Sequence, residues 1–163
     1  MAEPTNDTAT EAGPKHEDPF DPHVGRVRKI QMFRYERPDV TTPKGIMKLA
    51  QTDLVKGAVQ IVRPGGGNNL HSHAAADTFW MVLKGRARFY SGEKEVIAEF
   101  GPYEGIVTPR GVPYWFESAD ENEDLELLQV AGFEKGKKDI RTNHEPRKNV
   151  GRAKSQRFSG RIK

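Results

Sequence analysis

The 163-residue chain contains no cysteine, which excludes disulfides, thiol catalysis, thiolate zinc sites and iron–sulfur ligation. Long apolar runs are missing too. No stretch approaches the length needed to span a membrane, and the acidic N-terminus lacks the apolar core of a secretion signal, so a soluble, cytoplasmic protein with no membrane partner is expected. Apolar spacing at i, i+3, i+4, i+7 is not sustained over three turns anywhere in the central region, which argues against a helical core. The glycine-rich "RPGGGNN" leads into strand-like sequence and not into a helix, so no phosphate-binding helix terminus or dinucleotide fingerprint is present.

What is there amounts to one domain with polar ends. Hydrophobic residues make up 35% and charged residues 30% of the chain, a low apolar share that suggests an ordered centre diluted by its termini. Residues 1–23 carry four prolines and almost no large apolar side chains, and read as a disordered N-terminal tail. Residues 134–163 hold eleven Lys or Arg against three Asp or Glu, a balance of +8 within a net +3. The preceding residues are therefore acidic overall. This basic C-terminal tail reads as a solvated or partner-hugging arm; with Phe158 as its single aromatic residue, it lacks the interleaved rings of a nucleic-acid surface.

Between the tails, residues 24–133 are built of short runs rich in Val, Ile, Phe, Tyr and Trp, closed by Gly, Pro or Asn. The pattern predicts strands over 26–35, 45–51, 57–63, 70–74, 78–84, 86–90, 94–100, 105–108, 113–118 and 125–132. Gly85 in "VLKGRARFY" and Ser91-Gly92 in "FYSGEKEV" mark hairpins, and Pro109, Gly111 and Pro113 stiffen the loop in "TPRGVPYWF". Many short, closely spaced strands point to an antiparallel sandwich or barrel. The segment "TFWMVLK" is apolar on both faces, with Thr78, Trp80 and Val82 on one and Phe79, Met81 and Leu83 on the other. Its outer face needs a cover, either the strand over 26–35 or a second subunit, and a homodimer is expected.

The chemistry concentrates in "GGGNNLHSHAAADTFWMVLKG". His71 and His73 lie two residues apart on a predicted strand and point to the same side, the spacing that lets two imidazoles share one metal ion. Gly65, His71, His73 and Gly85 follow the order Gly, five residues, His-x-His, then Gly, and Pro109 and Gly111 stand at the centre of a second Pro-x-Gly motif. In this the sequence resembles the cupin superfamily over roughly residues 45–132. The resemblance implies a jelly-roll β-barrel: an all-β, single-domain antiparallel fold with flexible polar arms at both ends.

The chain departs from the pattern at the family's other ligand positions. Thr78 stands where the resemblance implies a glutamate, with Asp77 at the shorter of two allowed spacings. Tyr114 replaces the second-motif histidine, Tyr103 that motif's first glycine and Ser118 its final asparagine.

Three readings follow. His71 and His73 bind a divalent metal, Fe, Mn, Ni, Cu or Zn, helped by Asp77 or Tyr114. Alternatively, His71, His73, Thr78 and Tyr114 form a metal-free polar cluster with Trp80 and Phe116 that recognises a small molecule. In the third reading the histidines only cap the barrel mouth. Gln60 and Gln129, each among apolar strand residues, are further candidates for contacting a ligand or for pairing as core amides. Arg86 and Arg88 are expected on a solvated strand face.

The resemblance implies a metal-dependent dioxygenase first. His71 and His73 would hold the metal, Tyr114 would donate a hydrogen bond to substrate or oxygen, and Trp80 and Phe116 would wall the site. An isomerase or lyase acting on a sugar or organic acid, with Tyr114 as general acid, is the next enzymatic choice. The competing class is a small-molecule-binding protein without turnover.

Overall fold

The computed structural model describes residues 29–163 together with the backbone of the strand Thr5–Asp7. Nearly all regular structure is strand: β1 (Thr5–Asp7), β2 (Met32–Phe33), β3 (Lys44–Gln51), β4 (Val55–Val62), β5 (His71–His73), β6 (Ala76–Lys84), β7 (Ala87–Tyr90), β8 (Val96–Phe100), β9 (Gly105–Thr108), β10 (Trp115–Ser118), β11 (Leu125–Phe133), β12 (Arg141–Asn143), β13 (Gln156–Ser159) and β14 (Arg161–Ile162). The exception is one turn of 3-10 helix, Gly151–Ala153. No helix among the described residues is long and apolar enough to cross a membrane.

The strands assemble into a six-stranded sheet in the order β13-β3-β4-β11-β6-β9, faced by the three-stranded sheet β10-β7-β8. A second three-stranded sheet, β1-β12-β5, carries the histidine pair, and β14 pairs with β2. This is the expected all-β jelly-roll class. Between the large sheet and its partner lies the inner core of Val62, Trp80, Val82, Ala87, Phe89, Tyr114, Phe116, Leu125 and Leu127. A smaller cluster of Val40, Met47, Leu49, Val59 and Ile61 covers the other face of the large sheet, with Tyr35 and Phe158 packed against it. Because β4 is thus covered on both sides, it is buried over five consecutive residues. Such a strand shows no apolar-polar alternation.

Turn chemistry matches the sequence. Gly85, at the β6–β7 reversal, has φ +81°, and a Cβ there would stand 2.5 Å from the Asp124 carbonyl oxygen. Only glycine satisfies both demands. Tyr103 also lies in the left-handed region, at φ 68°, in a position where the motif it resembles carries glycine.

Three differences from the sequence reading have physical causes. The predicted strand over 26–35 contracts, within the described residues, to Met32–Phe33; residues 26–28, and the tail reading for residues 1–23 apart from Thr5–Asp7, fall outside the described residues. The basic segment 134–163 is not a free arm, since β12 extends the sheet of β1 and β5 and β13 runs parallel to β3. Phe158 supplies the reason: β13 brings its ring onto the outer cluster, where burial offsets the ordering of a charged segment. Finally, the outer face of β6 is covered only in part. Leu83 packs on the Tyr35 and Phe158 side, whereas Phe79 stays 48% exposed.

Candidate functional site

His71 and Tyr114 pair as an isolated antiparallel bridge, exchanging N–H···O bonds of 3.1 and 2.9 Å. The bridge joins the two half-motifs and sets the rings 4.7 Å apart. From there the inner wall continues without a break. Tyr114 meets Trp80 edge-on at 6.1 Å, Trp80 lies 4.9 Å from Phe116, and Trp80 stands directly opposite Gln129 in the β6–β11 register. The Gln60 side-chain amide donates to Gln129 Oε1 at 2.8 Å, which leaves Gln60 Oε1 buried with no hydrogen-bond partner among the described residues. Thr78 is buried one inward position from Trp80, and Thr108 Oγ1 accepts the Trp80 indole N–H at 3.0 Å.

Local bonds orient each imidazole. His71 Nδ1 lies 2.7 Å from the Asn69 carbonyl oxygen, which can only accept, so Nδ1 carries the proton and Nε2 keeps its lone pair. Burial, reinforced by the positive charges of Arg141, His73 and Lys44, holds the His71 pKa well below the usual histidine range. The ring is neutral at physiological pH. His73 Nδ1 stands 2.7 Å from Asp139 Oδ2, and Asp139 Oδ1 accepts the Ala75 N–H at 3.0 Å. Burial works to raise the Asp139 pKa, but the bonds from His73 and Ala75, with the charges of His73 and Lys56, outweigh it and hold the carboxyl below its ordinary range. The two rings are 5.2 Å apart, edge to face. Burial pushes the Tyr114 phenol well above its ordinary value, so it stays un-ionised, a donor and not a phenolate ligand.

Asp77 does not join this group. Regular alternation turns Thr78 inward and Asp77 outward, where its half-exposed carboxylate accepts from the Arg110 N–H at 2.8 Å and from the Arg110 guanidinium at 2.9 Å. Arg86 and Arg88 lie on the outer strand face with Glu99 and Glu117, as expected.

The structure adds residues that no local pattern singles out. Asn69 links the loop to β12: its side-chain amide donates to Asn143 Oδ1 at 2.9 Å and its oxygen accepts from the Arg141 guanidinium at 2.7 Å. Asp139 lies amid Lys137, Lys138 and Arg141, where nothing local signals a histidine partner. Lys44 opens β3 opposite Val62 and is 6% exposed, with its ammonium 5.3 Å above the Phe116 ring. The described residues contain no group of three or more His, Asp or Glu that could hold a metal ion. A groove of about 1000 Å³ lies elsewhere, on the outer side of Tyr90 and Trp115. Those rings stack on each other at 3.8 Å and Lys148 already lies over Trp115, so their faces are engaged within the fold.

Comparison with known proteins agrees with this architecture. Residues 58–131 match the family model described as a cupin domain. No curated protein matches the sequence. Among solved structures, the chain is similar to KdgF from Halomonas sp., at 16% identity and a TM-score of 0.54 over 64% of this chain and 95% of that one. It is also similar to the cupin domain of Cnp3 from Schizosaccharomyces pombe, at 11% identity and 0.52 over 60% and 69%. An RmlC-like cupin family protein with a double-stranded beta-helix fold from Methanocaldococcus jannaschii gives 16% and 0.52 over 67% and 94%. At such identities the likeness establishes the fold alone.

Proposed function

With residues 58–131 matching the family model of the cupin domain, we propose that the chain is a small-molecule-binding cupin whose ligand lies on the inner wall against His71, Tyr114, Trp80 and the Gln60–Gln129 pair. The observation that carries this reading is Gln60 Oε1, a buried acceptor with no hydrogen-bond partner among the described residues. Such an atom costs about 1–3 kcal/mol, and a ligand hydroxyl or N–H facing it recovers that cost. His71 Nε2 offers a second acceptor, Tyr114 a donor, and Trp80 and Phe116, tilted 59° to each other, apolar surroundings. No carboxylate among the described residues joins this cluster as a general base, which favours binding over turnover. The test is a thermal-shift screen of sugars, organic acids and small aromatics on the wild type, Gln60→Leu and His71→Asn. Ligands that stabilise only the wild type support the reading; no stabilising ligand of any class, or equal shifts in all three proteins, overturns it.

A metal-binding reading is favoured by a different observation. Both imidazoles have Nδ1 committed, to Asn69 and to Asp139, and a partner on that nitrogen is what orients a metal-ligating histidine. An imidazole Nε2 is a donor that a divalent ion takes, but the described donor set ends with these two. A bound iron, manganese, nickel, copper or zinc ion would supply the Lewis-acid or oxygen-activating chemistry on which a dioxygenase depends. Asn69 and Asp139 would hold the two rings in place for it. Elemental analysis of untagged protein beside a folded His71→Ala/His73→Ala variant decides the matter: near-stoichiometric metal lost in the variant supports a site, and equal absence after incubation with these ions refutes it. The expected homodimer is assigned to the outer face of β6 and β9, where Phe79 and Val107 are cross-strand neighbours, 48% and 55% exposed.

A further inference from the structure

Lys44 is the buried cation that the readings above leave without a task. Its side chain shares the inner face with Val62, which stands opposite it on β4, and reaches over Phe116. Only 6% of the residue is exposed, and among the described residues no hydrogen bond or ion pair holds the ammonium. An ammonium on so little-exposed a residue gains from a partner of opposite charge. The strongest charges acting on it are of one sign. Arg141 on β12, Arg157 on β13, Arg147 beyond β12 and Lys56 on β4 all act on Lys44 as positive neighbours. Those four engage partners of their own. His71 on β5 also lies within range of Lys44, and it is neutral.

We propose that the molecule bound on the inner wall carries an anionic group, a carboxylate or a phosphate, and that Lys44 is its counter-ion. This deepens the small-molecule reading and rests on it. An anion supplies what the geometry lacks, acceptors for a buried ammonium inside a ring of positive potential.

Burial, with those same four cations, pushes the Lys44 pKa down to about 7. Binding of an anion favours the protonated amine, so above neutral pH the complex takes up a proton, and affinity falls as pH rises.

The test is titration calorimetry on the full chain with three probes: inorganic phosphate, succinate, and the uncharged succinamide. The proteins are wild type, Lys44→Met, Lys44→Gln, and Lys135→Met, which removes the same charge from an exposed site. Circular dichroism checks that each is folded. The expected result is that at least one anion binds wild type and Lys135→Met, binds both Lys44 variants at least tenfold more weakly, and binds wild type more weakly at pH 9 than at pH 6. Phosphate alone, or succinate alone, identifies the group. Equal anion affinity in wild type and the folded Lys44 variants overturns the proposal. So does the failure of both anions to bind wild type at about 10 mM, a weaker limit than any useful subsite. In that case the screen with Gln60→Leu and His71→Asn decides separately whether the small-molecule reading survives: uncharged ligands lost in those variants keep it, and their absence removes both.

Discussion

His71 and Tyr114 hold each other through two backbone hydrogen bonds, one in each direction, although 43 residues separate them in the chain. That single bridge turns two degenerate half-motifs into one wall. Because it is made by the backbone, it survives the change from a second-motif histidine to tyrosine. What changes is the chemistry presented: a neutral imidazole lone pair beside an un-ionised phenol, in place of two imidazoles.

Acid should destabilise the fold through His71. The His71 pKa lies well below that of the unfolded chain because of burial, so between the two values the unfolded state binds a proton that the folded state does not. The stabilisation is fully present above about pH 6.5 and falls by about 1.4 kcal/mol for each pH unit below it. Urea unfolding of wild type from pH 7.5 to 5 should show this slope, and His71→Gln should flatten it.

Lys44→Met should raise stability near neutral pH. The folded-state pKa of about 7 lies below the unfolded value of about 10.4, so the unfolded chain holds the extra proton between them and burial of the lysine is costly there. The cost is largest below pH 7 and vanishes above pH 10. Thermal melts should therefore favour the variant by several degrees at pH 7, and the difference should shrink as the pH approaches 10.

Asp139→Asn separates positioning from packing. It keeps the side-chain volume and an acceptor for the Ala75 N–H but removes the charge beside His73. If the histidine pair takes up metal, affinity should fall by about 10–100-fold, the usual cost of losing such a partner, while the melting temperature changes little. Metal titration followed by calorimetry measures both. An unchanged affinity would mean that Asp139 only ties down the loop before β6.

The C-terminal segment should prove part of the fold. Phe158→Ala removes a ring from the outer cluster and should cost about 2–4 kcal/mol, the low to middle range for a partly buried aromatic. Deleting residues 155–163 should cost more, because β3 then loses its parallel neighbour and becomes an exposed edge. A deletion with wild-type stability would restore the reading of this segment as a free arm.

Phe79→Ser and Val107→Ser should shift the protein towards monomer in sedimentation velocity if the outer face of β6 and β9 is the dimer contact. Stability of the monomer should change little, because both side chains are about half exposed.

The local signals in the sequence were enough for strands, turns and the same-side placement of His71 and His73, since each depends on neighbours in the chain: a period of two, a glycine at φ +81°, a short polar link. They were enough for the cupin likeness as well, whose motifs are ordered in sequence. Lys44 shows where that legibility stops. Alternation in "KGIMKLAQ" gives Lys44 and Lys48 one face and Met47 and Leu49 the other, and with one apolar face the lysines would be assigned to solvent. Tertiary packing buries Lys44 at the start of β3 and leaves Lys48 half-buried, so the phase is right while the meaning of the polar face is reversed at Lys44. Asp77 illustrates the converse, its spacing suiting a ligand while its strand phase sends it out to Arg110. The partners that set the site's chemistry, Asn69 with His71, Asp139 with His73, Gln60 with Gln129, and the cations around Lys44, were decided by the tertiary structure. All but the first join distant segments. Even there, the tautomer follows from the direction of a carbonyl, and the ionisation state follows from burial, which the sequence alone does not express.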